Sequence, residues 1–364
     1  DPPRSIQVDA RLAKEPWSHL GLRRNLELTN QWQQYTLPFQ ATGGQDGACR
    51  VGWVFGNFRG QVDISGLSLK PGGVLGTPRD QSLEQANLAL TRSHDTTARR
   101  SDYQLFLMET EQRYHAEMMR FLKSDLKLRS LVTNTQASYG GVAGVVREAS
   151  LSDFVDMHGY WQHPRFPGRP WDRRNWNIPN TSMVDESDGG VPARIALHRV
   201  DGKPCTVSEF HHPTPNDHCA EMFPMLASLA AFQDWDGIYQ FTYTSSSDDL
   251  ADQRIDGYFD LIHHPGHLVW LPIAATIFRS AAIRPGETPI QLRLASPDKL
   301  VDARARMEDV WTQAGAVPGL PTMRRVVVAP GTGPQNLLSE VVSTANDERV
   351  SSTGQIRWRL PNDD

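Results

Sequence analysis

Short apolar runs alternate with longer amphipathic ones through the middle of the chain. Residues 130–136, 153–161, 205–211 and 237–243 are brief runs bounded by polar residues, and each reads as a strand ending in functional side chains. Residues 102–127, ahead of the first, and 217–232, between the last two, carry helical periodicity. Strands alternating with helices predict a parallel sheet, and polar residues gathered at strand ends predict the loaded face of a (β/α) barrel. The amino-terminal region has a different period. Residues 26–29, 31–39, 48–56 and 61–69, with Trp17 ahead of them, alternate between Gly, Asp and Asn turns, the pattern of a β-sandwich. Residues 324–329, 337–342 and 354–359 again read as strands. The expected fold class is therefore α/β plus all-β. Its parts are a partial β-sandwich over 1–76, a linker over 77–101, the second half of a (β/α)8 barrel over 102–285, and a β-rich accessory segment over 286–364.

Within the third strand of the barrel segment, Cys205-Thr206-Val207-Ser208-Glu209-Phe210-His211-His212 places one carboxylate just past a β-branched run and before a Pro-Asn-Asp loop. A barrel enzyme keeps a nucleophile at such a strand end, which makes Glu209 the residue expected to carry the chemistry. The preceding strand ends in His158-Gly159-Tyr160-Trp161, and the following one in Tyr239-Gln240-Phe241-Thr242-Tyr243.

At these residues the chain resembles the clan A glycoside hydrolases, the retaining (β/α)8 enzymes that include cellulases and related β-glycosidases. The motifs are Val207-Ser208-Glu209-Phe210 for the seventh strand, His158-Gly159-Tyr160-Trp161 for the sixth, and Asp234-Trp235-Asp236-Gly237-Ile238 leading into the eighth; together they span roughly residues 100–285. The run from His158 to Trp176 is similar to the sixth loop of large bacterial members. The resemblance implies Glu209 as nucleophile, Tyr160 as its hydrogen-bond donor and His158 in the same subsite. It further implies a sugar-binding cleft holding Asn134, Gln136, Trp161, His163, Trp171, Trp176, His211 and Tyr243. Trp32-Gln33-Gln34-Tyr35 and the run 62–69 resemble the later strands of a jelly-roll carbohydrate-binding module.

The family keeps its acid/base Glu after the fourth strand, usually following Asn, and retaining hydrolysis needs that second carboxyl about 5–5.5 Å from the nucleophile. This chain departs from the pattern, because it contains no Asn-Glu pair. The reading that reconciles the two puts the first half of the barrel upstream of Asp1, with a complementary amino-terminal chain or half-barrel as partner and a carbohydrate as substrate. The same absence supports a second class, a glycan-binding protein that grips sugar without cleaving it.

Composition trims the alternatives. With 39% hydrophobic residues the chain can build real cores, and a net charge of −5 gives no field attractive to nucleic acid or an anionic membrane. No signal peptide or transmembrane run is read in it. Three cysteines without a CxxC support neither a disulfide framework nor a zinc ribbon, and Cys205 reads as buried filler. His211, His212, Asp217 and His218 lack metal-ligand spacing, and Pro213 and Pro215 break any helical geometry among them, so no metal is expected. His264, ahead of a helix, reads as a capping or packing residue. Ser138-Tyr139-Gly140-Gly141 and Gly331-Thr332-Gly333 lack a phosphate-loop pattern, so no cofactor is expected either. Glu109 and Glu111 open a helix and read as salt-bridging residues.

Overall fold

The computed structural model of the protein describes residues 4–55, 60–70, 77–78, 80–91, 95–251, 254–255, 257–294, 305–331 and 348–360. The chain divides into two compact units, Asp1–Gln104 and Leu105–Asp364. No helix among the described residues is long and apolar enough to cross a membrane.

In the first unit, Ile6, Val8, Ala10 and Leu12 alternate with polar residues and form strand β1 (Arg4–Leu12). It pairs antiparallel with β2 (His19–Leu28) and with β3 (Cys49–Val54), in the order β2-β1-β3. One face of this sheet is apolar, built from the four β1 residues with Leu20, Leu22 and Leu26, and Leu37 and Phe39 pack on it. On the opposite face Asp9 is fully buried and bonded by Arg11, whose guanidinium lowers the Asp9 pKa. The runs 31–39 and 61–69, expected as strands of a sandwich, are irregular, and Leu67 and Leu69 are 65% and 70% exposed. Alternation suffices for a strand only where the backbone finds a ladder partner, and neither run finds one among the described residues.

Helix α1 (Thr97–Arg120) runs across the boundary into a π-helical turn, Phe121–Asp125. In the second unit come α2 (Val142–Leu151), β4 (Val155–Tyr160), α3 (Gly190–Ala196), β5 (Cys205–His211), α4 (Met222–Phe232) and β6 (Gly237–Ile238). Glu111 of α1 reaches Arg147 of α2 at 2.9 Å, the salt-bridging role its position suggested. β4, β5 and β6 form one parallel sheet in chain order, and Gln136 adds a parallel bridge to Asp156 on the far side of β4. The expected strand at 130–136 is thus a single bridged residue, and the one at 237–243 is a two-residue strand. Helices lie between successive strands because parallel neighbours need long crossovers. α4 is apolar all round, with Met222, Leu226, Leu229, Ala230 and Phe232 almost wholly buried, as befits a helix that lies inside a core. Gly159 of β4 faces α3, where a Cβ would come within 2.6 Å of both Val191 and Ile195.

After α5 (Pro265–Leu268) and α6 (Leu271–Arg279) come β7 (Ile290–Leu294), α7 (Met307–Gln313), α8 (Leu320–Met323) and β8 (Val326–Pro330), then a hairpin of β9 (Glu348–Val350) and β10 (Arg357–Arg359). This region was expected to be a separate β-rich domain. Instead β7 and β8 pair in parallel with helices between them, and β8 bridges in parallel to Val200 just ahead of β5. Ile290, Leu292, Trp311, Leu320, Val326, Val328 and Trp358 join the same apolar cluster as Val155, Val207 and Leu226. The Val-rich run Val326-Val327-Val328 is buried on both faces, as in a covered parallel strand, so it could not edge an independent sandwich. The expected strand at 337–342, and Gly56 and Ser93, lie outside the described residues.

Gln233, fully buried at the end of α4, ties these parts together. Its Nε2 donates to the carbonyls of Pro321 (2.6 Å) and Arg324 (2.7 Å), and its Oε1 accepts from Val326 N–H (3.0 Å). Gln233→Leu keeps the volume and strands all three backbone groups, so urea denaturation should show a loss of about 3 kcal/mol or more. A loss under about 1 kcal/mol would refute the role given to this amide.

Candidate functional site

Glu209 stands on the same sheet face as Asp156, His158 and Tyr160 because of a slip in the strand pairing. Asp156 pairs with Thr206 and Met157 with Val207, but His158 pairs with Glu209, so Ser208 is an extra residue on β5. Strand side chains alternate faces, and Thr206 and Ser208 already occupy the Asp156 face. The slip delivers Glu209 to that face as well, which is how bulges re-aim side chains next to functional sites.

A chain of polar contacts follows. Thr206 and Ser208 each donate to Asp156 at 2.5 Å, and Ser208 Oγ lies 2.9 Å from His158 Nε2. The Ser208 proton is committed to Asp156, so Ser208 accepts from His158 Nε2–H. On the other side of the ring, His158 Nδ1 sits 3.2 Å from Glu209 Oε2 and 3.4 Å from Gln136 Nε2. Gln136 is held by Ser138 (2.9 Å). Tyr160 donates its hydroxyl to Glu209 Oε2. Burial, then the hydrogen bond to Glu209, raises the Tyr160 pKa, so the phenol keeps its proton and remains a donor. Both contacts fall on Oε2; no described side chain bonds Oε1. The Glu209 side chain as a whole is 31% exposed.

Aromatic rings continue from Tyr160. Its ring meets those of His163 and Phe259 at 4.9 Å and Phe241 at 6.1 Å. Phe259 touches Tyr258 (5.0 Å), which touches Trp176 (5.5 Å), Phe166 (5.5 Å) and Trp171 (6.3 Å). Arg173 bonds buried Asp260 at 2.8 Å and fixes this loop against the 257–262 segment. Trp171 is 64% exposed and sits at φ +61°, a conformation that bulky residues rarely adopt.

Several residues expected in the cleft lie elsewhere. Trp161 is buried in the core and donates its indole N–H to the Thr181 carbonyl at 2.9 Å, so it has no free face to offer. His211 is fully buried, with its ring against Phe259 and His267, and cannot meet a ligand at the strand ends. Asn134 donates to Ser152 Oγ (2.9 Å), ahead of the start of β4 and away from His158. Gln136 is buried behind His158 and acts through it. Tyr243 is exposed, and it is Phe241 that packs on Tyr160. Asp156, Ser208, Tyr258 and Phe259 were not singled out from the sequence. The alternation Asp156/His158/Tyr160 is a signal for the first, and the alternation Thr206/Ser208 is one for the second.

The two tryptophans separate by experiment. Trp161→Ala should cost about 3–5 kcal/mol in chemical denaturation, as expected for emptying a buried aromatic site. Trp171→Ala should stay within about 0.5 kcal/mol of wild type, as at an exposed position. Equal losses at the two positions would contradict this placement.

No family model matches the chain, and no curated protein and no solved structure matches it.

Proposed function

We propose that the protein is the nucleophile-bearing part of a retaining β-glycoside hydrolase, acting on a polysaccharide or oligosaccharide of the cellulose or β-glucan kind, and that the second unit is the carboxyl-terminal half of a (β/α)8 barrel. The observation that carries this reading is the lopsided environment of Glu209. Tyr160 and His158 anchor Oε2, while Oε1 is open at the ends of parallel strands. A carboxylate held by one oxygen and free at the other suits in-line attack on an anomeric carbon, because orientation is fixed before the substrate arrives. The exposed ring of Trp171 and its neighbours supply the flat apolar wall on which a sugar face stacks. The three-stranded sheet of the first unit is read as part of a carbohydrate-binding module.

The acid/base carboxyl comes from outside this chain. The sequence has no Asn-Glu pair, and Asp156, the neighbouring carboxylate, is committed to Thr206 and Ser208. That same gap favours the second reading, a glycan-binding protein without turnover. The two readings part on a substrate that needs no acid. Dinitrophenolate departs from an anomeric carbon unprotonated, so a dinitrophenyl β-glycoside fluorinated beside that carbon requires only the nucleophile. Glu209 would form an ester to the sugar, and the fluorine would slow its hydrolysis.

Incubation with such glycosides of glucose, galactose and cellobiose should add one sugar mass to the intact protein, mapped to the peptide containing Glu209. Glu209→Gln should take no label and, in the complete enzyme, retain below about one per cent of the activity. Reproducible sugar binding with no covalent label from any of the three would overturn the hydrolase in favour of the binding protein. A label on another residue would remove Glu209 from its role. Trp171→Ala should weaken oligosaccharide binding by about 1 kcal/mol, the worth of one stacked ring, in isothermal titration; unchanged affinity would free that ring from the cleft.

A further inference from the structure

Behind the strand that carries Glu209, five buried metal-ligating side chains converge from two loops. His211 and His212 end β5 and open the loop after it, Cys219 begins the short turn into α4, and His264 and His267 flank and occupy α5. His211, His212 and His267 are fully buried, Cys219 is 3% exposed and His264 9%. One ligand atom each from Cys219, His264 and His267 lies within 4.8 Å of the others. Cys219 Sγ is also 3.7 Å from His212 Nδ1. Tetrahedral zinc, with bonds of about 2.3 Å to sulfur and about 2.0–2.1 Å to nitrogen, sets its S···N ligand pairs about 3.5 Å apart.

Two further features point to a missing partner. Neither ring nitrogen of His267 has a hydrogen bond of good geometry, the His212 backbone supplying only a weak contact. Buried polar groups in folded proteins almost always have partners, so this ring, a member of the group, is open to an occupant. His212 stands beside these three, next to Cys219. Its Nε2 is 3.2 Å from Glu221 Oε1, which holds the N–H there and turns the lone pair of Nδ1 toward Cys219. A carboxylate behind a histidine is the usual support of a metal-bound imidazole.

We propose that Cys219, His264 and His267, with His212 as fourth donor, form a structural zinc site that clamps the loop after β5 to α5. One thiolate and three imidazoles complete a tetrahedron with no open position, and a nitrogen and sulfur donor set selects zinc over calcium or magnesium. Zinc binding displaces the Cys219 proton to solvent. A neutral imidazole has one lone pair, and that of His264 now accepts His267 N–H at 3.2 Å. Coordination gives up that bond and turns the stacked His264 and His267 rings, 4.0 Å apart, toward the ion. The site stands whether or not Glu209 is a nucleophile.

The test is a titration of the purified protein, stripped with a chelator, first with Co2+ and then with Zn2+. One Co2+ per chain should bind with a thiolate-to-cobalt charge-transfer band and intense tetrahedral bands. One equivalent of Zn2+ should erase both and raise the melting temperature. Cys219→Ser should lose the charge-transfer band, Cys49→Ser should keep it, and Glu221→Gln should weaken zinc by about 10–100-fold. Zinc-edge X-ray absorption on the unmutated protein needs no variant to fold, and should give one sulfur and three nitrogen neighbours. Less than one tenth of an equivalent of either ion bound, a charge-transfer band that survives Cys219→Ser, or an all-oxygen shell would each overturn the site.

Discussion

Between Met157 and His158 the pairing of β4 with β5 slips by one residue, and the whole polar site hangs on that slip. In regular pairing, Glu209 would follow Val207 to the opposite face, where Val207 and Phe210 are fully buried against helices. A carboxylate there would need a buried partner or lose its charge. The slip instead stacks Thr206, Ser208 and Glu209 on one face opposite Asp156, His158 and Tyr160. It leaves Phe210 level with Gly159, whose missing side chain makes room for α3. One local irregularity therefore serves the polar face and the packing of the apolar one.

The surrounding core holds that irregularity in place. Strand ends can stay polar only if the strands themselves are pinned, and the pinning is done by buried polar groups that are almost all satisfied. Gln233 joins α4 to α8 and β8, and Arg147 and Glu148, both buried, pair at 2.6 Å beside α1; the exposed Asp236 adds a bond from Cys205 N–H at 2.8 Å at the base of β5. Such groups punish any alternative arrangement more than they reward the native one, because an unpaired buried donor or charge is costly. Among the described residues this rule fails at several places, Trp235, Arg349 and the histidines at the end of β5 among them, and the last of these adjoins Glu209 along the strand.

What could be read from the sequence follows the reach of each interaction. The alternation of β4 and β5 with intervening helices comes from local periodicity, whereas Glu209, Tyr160 and His158, singled out by their strand-end places and by resemblance, are brought into one contiguous group by a slip that periodicity does not show. The continuity of 286–330 with the core was illegible. A Val-rich run reads alike as an edge or a buried parallel strand, and only long-range partners such as Val200 distinguish them. The alternating runs at 31–39 and 61–69 misled for the same reason, since their pattern specifies a strand and says nothing of a neighbour. Trp161 and Trp171 look alike in sequence, flanked by polar residues and turn formers. The Thr181 carbonyl and a left-handed backbone, neither visible locally, send one inward and the other out.

The asymmetry of contacts at Glu209 then has a simple origin. Oε2 belongs to the buried network, where Tyr160 and His158 are themselves held by Phe259, Ser208 and Gln136. Oε1 lies beyond the last side chain of that network. On the proposed reading both conditions serve a nucleophile: the anchored oxygen spares the carboxylate from sampling orientations, and the other keeps its lone pairs clear of neighbouring donors. The end of a strand is where a side chain can meet them together, one oxygen resting on the packed face and the other past its edge. Two residues further on, His211 occupies the same face but is covered by Phe259 and His267, so the chemistry available to it is that of the interior.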